Sequence, residues 1–159
     1  MRKNWAALAL TGMLCLTTFA GTQTVSAETA DSAKQVDIVF THDTHSHLNT
    51  FTTVVDDAEK EVGGFARINP LIQEQKAKNP DTLVIDGGDF SMGTLIQTVF
   101  ETQAAEIRML GYMGCDVTTL GNHEFDYRSK GLANMLNSAA ESGDDLPAMV
   151  VCNVDWESM

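Results

Sequence analysis

Apolar residues along this chain follow two rhythms in alternation: short unbroken runs, and stretches spaced by three or four. Residues 36–40, VDIVF, are a β-branched run and predict a strand. Between 65 and 78 the positions Phe65, Ile68, Leu71 and Ile72 share one helical face, and Asn79-Pro80 predicts the stop. TLVIDGGDF at 82–90 predicts a buried strand leading into a glycine loop, and residues 99–112 predict an amphipathic helix with Gly111 and Gly114 near its end. DVTTLGNHEFD at 116–126 has the form strand, glycine, polar loop; residues 129–140 predict a helix and 148–154, AMVVCNV, a strand. Strands alternating with helices build βαβ units, so the predicted class is α/β with a mostly parallel sheet.

A segment of another kind precedes this pattern. Residues 1–27 begin with Arg2 and Lys3, continue through an apolar stretch and end in Val25-Ser26-Ala27. A charged start, an apolar middle and a small-residue end predict a secretory signal peptide cleaved after Ala27. The apolar stretch falls short of the ~20 residues of a spanning helix, and Thr11, Thr17 and Thr18 interrupt it. Leu14 in front of Cys15 argues against a lipoprotein anchor. The reading is an exported chain, secreted or held in the cell envelope. Residues 28–35 form its flexible start and 36–159 its folded part, with no later membrane span.

Removing Arg2 and Lys3 leaves eight basic against twenty-two acidic residues, a net charge of −14. That charge argues against a nucleic-acid polymer as partner. Oligomeric state is not encoded in any visible pattern. Only Cys115 and Cys152 follow residue 27. Two cysteines are no disulfide framework; one bridge between them and two buried thiols both remain open.

The chemistry sits behind the predicted strands. Asp43 and His45 follow the first, Asp89 the second, and Asn122, His123 and Asp126 the third. In a parallel sheet, loops at the carboxyl ends of neighbouring strands meet at one edge, where ligands bind. Asp43 and His45 are two apart, so an extended segment points both the same way. Carboxylate with imidazole suits Zn, Mn or Fe better than Ca. Asp89 has two oxygens and is able to bridge two divalent ions about 3.5–4 Å apart. Asn122 offers a neutral carbonyl oxygen to the second ion. His123 is left for proton work, with Asp126 to orient its ring. His47 shares the parity of Asp43 and His45 and is placed outside the ligand set; His42, of opposite parity, is read as structural. Each cluster alone is equally well a polar turn, and Glu124 alone a helix-start acid.

Asp-x-His, then Gly-Asp, then Gly-Asn-His-Glu resembles the calcineurin-like metallophosphoesterases. THDTHSHL, GGFARI and VTTLGNHEFDY resemble more narrowly the secreted bacterial 5′-nucleotidase branch, with relatives acting on 2′,3′-cyclic nucleotides and UDP-sugars; the likeness runs from about residue 36 to 154. The resemblance implies that a two-metal-activated hydroxide hydrolyses a nucleotide or other phosphoester. Asp43 and His45 would hold one ion, Asp89 would bridge, and Asn122 would hold the other. Asn122 and His123 would face the substrate, and His123, assisted by Asp126, would act catalytically. Gly63, Gly64 and Arg67 match the family too, but a turn and a helix start account for them.

The family pattern goes on to further histidines, including a Gly-His-x-His signature, whereas this chain has histidines at 42, 45, 47 and 123 and stops at Met159. The expectation is the N-terminal half of a metallophosphoesterase α/β sandwich, truncated before its second half and its substrate domain. Such a piece should bind a divalent ion weakly and be weakly active or inactive alone, with an unpaired edge strand. The alternative reading is a non-catalytic exported metal-binding or interaction protein that reuses the half-fold.

Overall fold

The computed structural model describes residues 36–153. The signal peptide at 1–27, the segment 28–35 and the last residues of the chain, from 154 on, lie outside the described residues.

Four strands form a parallel sheet: β1 (Ile38–Thr41), β4 (Leu83–Asp86), β5 (Val117–Thr118) and β6 (Ala148–Met149), in the spatial order β1-β4-β5-β6. Ile38 pairs with Leu83, Phe40 with Ile85, Ile85 with Val117, and Val117 with Ala148. The three strands expected to carry the site are therefore neighbours and parallel. Asp86, buried at the end of β4, joins them: its carboxyl accepts from Thr41 Oγ1 on β1 at 2.8 Å, Thr118 Oγ1 on β5 at 3.0 Å and the Gly88 N–H at 3.0 Å. Burial pushes this carboxyl above the usual carboxylate range.

The helices cover one face. Helix α1 (Phe65–Lys78) coincides with the helix predicted from spacing. It buries Phe65 and Ile72, whereas Leu71 faces solvent, so the apolar stripe is narrower than the spacing suggested. Asn79 caps its end, its N–H donating to Gln75 O at 2.9 Å, and Pro80 blocks continuation. Lys76 Nζ donates to Gly114 O at 2.6 Å and Gln73 Nε2 to Met113 O at 3.0 Å, tying α1 to the chain leading into β5.

The second predicted helix, 99–112, is broken. A 3-10 turn (Leu95–Val99) leads into α2 (Phe100–Gln103), and α3 (Ala105–Tyr112) follows. Ala104 between them has φ 47° and ψ 40°. No glycine or proline announces this break; tertiary packing holds a fully buried alanine in a left-handed conformation that costs roughly 1–2 kcal/mol. The break lets Phe100, Ile107 and Leu110 all enter the core with Val84, Phe90, Met113 and Met135. Helix α4 (Arg128–Ser142) adds Leu132, Met135 and Ala139.

The sequence pattern assigned no element to residues 51–62, where the structure forms an antiparallel hairpin, β2 (Phe51–Val55) with β3 (Ala58–Val62). Asp56 and Asp57 turn it with φ of 54° and 58°, the left-handed pair that two-residue hairpin turns require. Nearly every residue of both strands is exposed, so no apolar alternation marked it. Cys115 is buried and Cys152 exposed, and neither is in a disulfide. That sets aside both the bridge and the pair of buried thiols. Burial pushes the Cys115 thiol up to about 11.

Candidate metal centre

The site is built from the loops behind β1, β4 and β5. The β1 loop is not the extended segment that parity assumed: Asp43, His45 and Ser46 have φ of 53°, 45° and 55°. Its direction comes from hydrogen bonds to the β4 loop instead. The N–H groups of Asp43, His45 and Ser46 donate to the carbonyls of Gly88, Asp89 and Phe90 at 3.0, 3.1 and 2.8 Å. The same loop docks on α1, whose first N–H groups lack intrahelical partners. Phe65 N donates to His47 O at 2.9 Å and Ala66 N to Leu48 O at 3.1 Å.

These bonds bring Asp43, His45 and Asp89 together. One ring nitrogen and one oxygen from each carboxylate lie within 4.8 Å of one another. Ligand atoms about 2.0–2.2 Å from a single ion lie at most about 4.4 Å apart, so a small side-chain adjustment gives one cation all three donors. His45 Nδ1 lies 3.2 Å from Ser91 O. A carbonyl only accepts, so in the neutral ring Nδ1 carries the proton and Nε2, 3.5 Å from Asp43 Oδ1, has the lone pair to offer a metal. His42, read from sequence as structural, is half out in solvent and hydrogen-bonds the other Asp43 oxygen. That bond holds the Asp43 carboxyl below its usual range. His47 instead turns Nδ1 to Thr44 O at 3.1 Å and packs its ring 5.4 Å from Phe51. It lines a cleft of about 260 Å³ with Asp43, Thr44, His45, Phe51 and Ile68. A larger cleft of about 670 Å³ around Arg108, Tyr112 and Asp144 shares none of these donors.

The β5 loop closes against this cluster. Asp89 Oδ1 accepts the His123 N–H at 2.9 Å. A side chain at Gly121 would lie 2.1 Å from that same oxygen, and one at Gly88, where φ is +88°, 2.6 Å from the Gly121 nitrogen. Only glycines allow the two loops to touch here. The His123 ring stands edge-on to the His45 ring, centroids 5.1 Å apart. Its Nδ1 is 2.8 Å from Asp126 Oδ2, which raises the imidazole above its ordinary value. Asn122 opens the 3-10 turn His123–Phe125, exposed between the two residues that touch Asp89 and Glu124.

A family model described as calcineurin-like phosphoesterase matches residues 36–155. The chain belongs to the calcineurin-like phosphoesterase family. Among curated members it is 34% identical over 107 residues to a probable 5′-nucleotidase of Treponema pallidum, 65% of this chain and 18% of that protein. It is 32% identical over 151 residues to a 5′-nucleotidase-related protein of Glossina morsitans morsitans, 91% of this chain and 26% of the relative. Among solved phosphoesterase structures, the 5′-nucleotidase precursor of Thermus thermophilus superposes with a TM-score of 0.64 at 31% identity, over 76% of this chain and 22% of that one. The NAD nucleotidase of Haemophilus influenzae gives 0.62 at 28% identity, over 77% and 21%. The α/β fold with its parallel sheet is thus that of the N-terminal phosphoesterase region, and the chain spans between 18% and 26% of the length of these relatives.

The phosphoesterase loops depend on a residue that sequence reasoning reduced to a helix-start acid. Glu124 is fully buried. Its carboxylate accepts from Asp89 N and Ser91 N at 3.0 Å each, Ser91 Oγ at 2.8 Å and Gly121 N at 2.7 Å. It joins the β4 loop to the β5 loop from beneath. Its signal in the sequence was its place directly after Asn122-His123, where an acid has no ligand role left to fill.

Proposed function

We propose that this chain supplies metal-binding and proton-handling groups of an exported phosphoester hydrolase of the 5′-nucleotidase type. The observation that carries the reading is the meeting of Asp43, His45 and Asp89 within 4.8 Å, with the His123 ring against His45. The donor set is mixed carboxylate and imidazole, which fits Zn or Mn. Asp43 and His45 would hold one divalent cation, Asp89 would bridge to a second, and Asn122 would give the second its amide oxygen. The cations, when bound, supply Lewis acidity toward the phosphoryl group and the attacking water. His123 would meet charge developing on the phosphoryl oxygens or give a proton to the leaving oxygen. Asp126 holds Nδ1, so Nε2 is the atom that carries that proton.

The relatives' names support nucleotides as the substrate class. Residues 1–27 as an export signal and 36–159 as the N-terminal part of the phosphoesterase domain belong to the same proposal. Among the described residues no helix is long and apolar enough to cross a membrane.

The test uses AMP and Mn2+ on the purified chain, read by 31P NMR relaxation. Mn2+ held at the cluster should speed relaxation of the AMP phosphorus, and Asp89→Asn should remove at least nine-tenths of the effect. Equal relaxation in wild type and Asp89→Asn would contradict the reading.

A further inference from the structure

Glu106 is an acid that the proposed chemistry leaves without a task. It sits on α3, fully buried, and burial raises its carboxyl above the usual range. Burying a carboxyl is costly unless hydrogen bonds compensate. Among the described residues Glu106 has one side-chain hydrogen-bond partner: Oε1 accepts the Ser46 hydroxyl at 2.7 Å, and Oε2 has none. An apolar residue of similar size would fill the same space without that cost, so the bond to Ser46 needs a purpose.

Ser46 supplies one. It directly follows His45 and is itself fully buried, with φ 55°, a conformation that serine adopts only under constraint. Each of its polar atoms is engaged. The N–H donates to Phe90 O at 2.8 Å, the carbonyl accepts from Thr94 Oγ1 at 2.7 Å and Leu48 N at 3.0 Å, and the hydroxyl goes to Glu106. The backbone bonds fix where the turn lies. The hydroxyl bond ties α3 to the side chain of the residue beside His45.

We propose that Glu106 is a positioning residue of the candidate metal centre: by accepting the Ser46 hydroxyl it locks the left-handed turn that aims His45 at Asp43 and Asp89. Its side-chain hydrogen bond goes to Ser46 and not to any of these three residues, so it acts through Ser46. This inference rests on the metal-centre reading above. Groups that hydrogen-bond a metal ligand directly typically contribute 10–100-fold in affinity; Glu106 stands one residue further out, so an effect at the low end, about tenfold, is expected.

The test is a Co2+ titration of the purified full chain, read by the visible absorption of the bound ion, alongside thermal unfolding. Variants are Glu106→Gln, which keeps an acceptor, Glu106→Leu, which removes it, and Ser46→Ala, which removes the donor. The expected result is an about tenfold weaker Co2+ affinity and an altered spectrum in Glu106→Leu and Ser46→Ala. Glu106→Gln should stay within about threefold of wild type. The double variant Glu106→Leu/Ser46→Ala should be no weaker than the worse single one, because both remove the same bond. If Glu106→Leu does not fold, Ser46→Ala and Glu106→Gln decide the matter. Wild-type affinity in Ser46→Ala, or a Glu106→Gln as weak as Ser46→Ala, overturns the proposal alone. A wild-type chain that binds no Co2+ overturns the metal-centre reading and this proposal with it.

Discussion

At the scale of single residues, the site is a set of side chains each fixed by a second contact. His45 is held through Nδ1 by Ser91 O, Asp43 by His42, Asp89 by the His123 N–H, and His123 by Asp126. The approach of Asp43, His45 and Asp89 was legible because Asp and His behind strands carry a recognisable chemistry. Their supports were not: no pattern around Asp86, Glu106 or Glu124 marks an acid for burial, and only the fold shows them buried. The His123–Asp126 pair gives a pH prediction. The folded histidine is raised above its unfolded value, so its contribution to stability is fully present below the ordinary histidine range. It is lost as pH rises through the folded value. In the metal-free chain, an NMR titration of the ring should place His123 above the ordinary histidine value. Asp126→Asn should bring it down toward the ordinary value; an unmoved titration would show that the carboxylate does not hold the ring.

At the scale of elements, α1 and α4 were readable from spacing because each has one face in the core and clear ends. The 99–112 helix was misread as continuous, since its break at Ala104 arises from packing that no local residue announces. The Asp43-x-His45 motif was read correctly as a pair of neighbours in space but for the wrong reason: backbone bonds to residues 88–90, not strand parity, bring the two together. The β2–β3 hairpin was missed because its strands bury almost nothing. That property has a dynamic consequence. Elements with few buried contacts open locally at low cost. Hydrogen exchange should therefore show the amides of β2 and β3 exchanging at least 100-fold faster than those of β4. Protection equal to β4 would mean that the hairpin is packed on a surface the structure leaves open.

At the scale of the whole molecule, the sheet has helices on one face and an apolar row on the other. Ile38 and Phe40, with Leu83, Ile85, Val117 and Ala148 in register beside them, share that second face. Ile38 is 57% and Phe40 60% exposed. Parallel sheets are ordinarily covered on both sides, and contiguous apolar surface promotes association. The purified chain should therefore bind an apolar dye and self-associate. The double variant Ile38→Ser/Phe40→Ser should reduce both while changing stability by only about 0.5 kcal/mol or less, because it alters exposed positions. A monomeric, dye-free wild type would contradict this view of the face.

The relation between this sheet and the chemistry reduces to one geometric claim: loops at its carboxyl edge deliver Asp43, His45 and Asp89 to a single cation. The most direct measurement is an anomalous difference map from crystals of the chain soaked in Zn2+. The account predicts a peak about 2.0–2.2 Å from His45 Nε2 and from an oxygen of each of Asp43 and Asp89. A map with no peak there, or with zinc bound only elsewhere on the acidic surface, would contradict it.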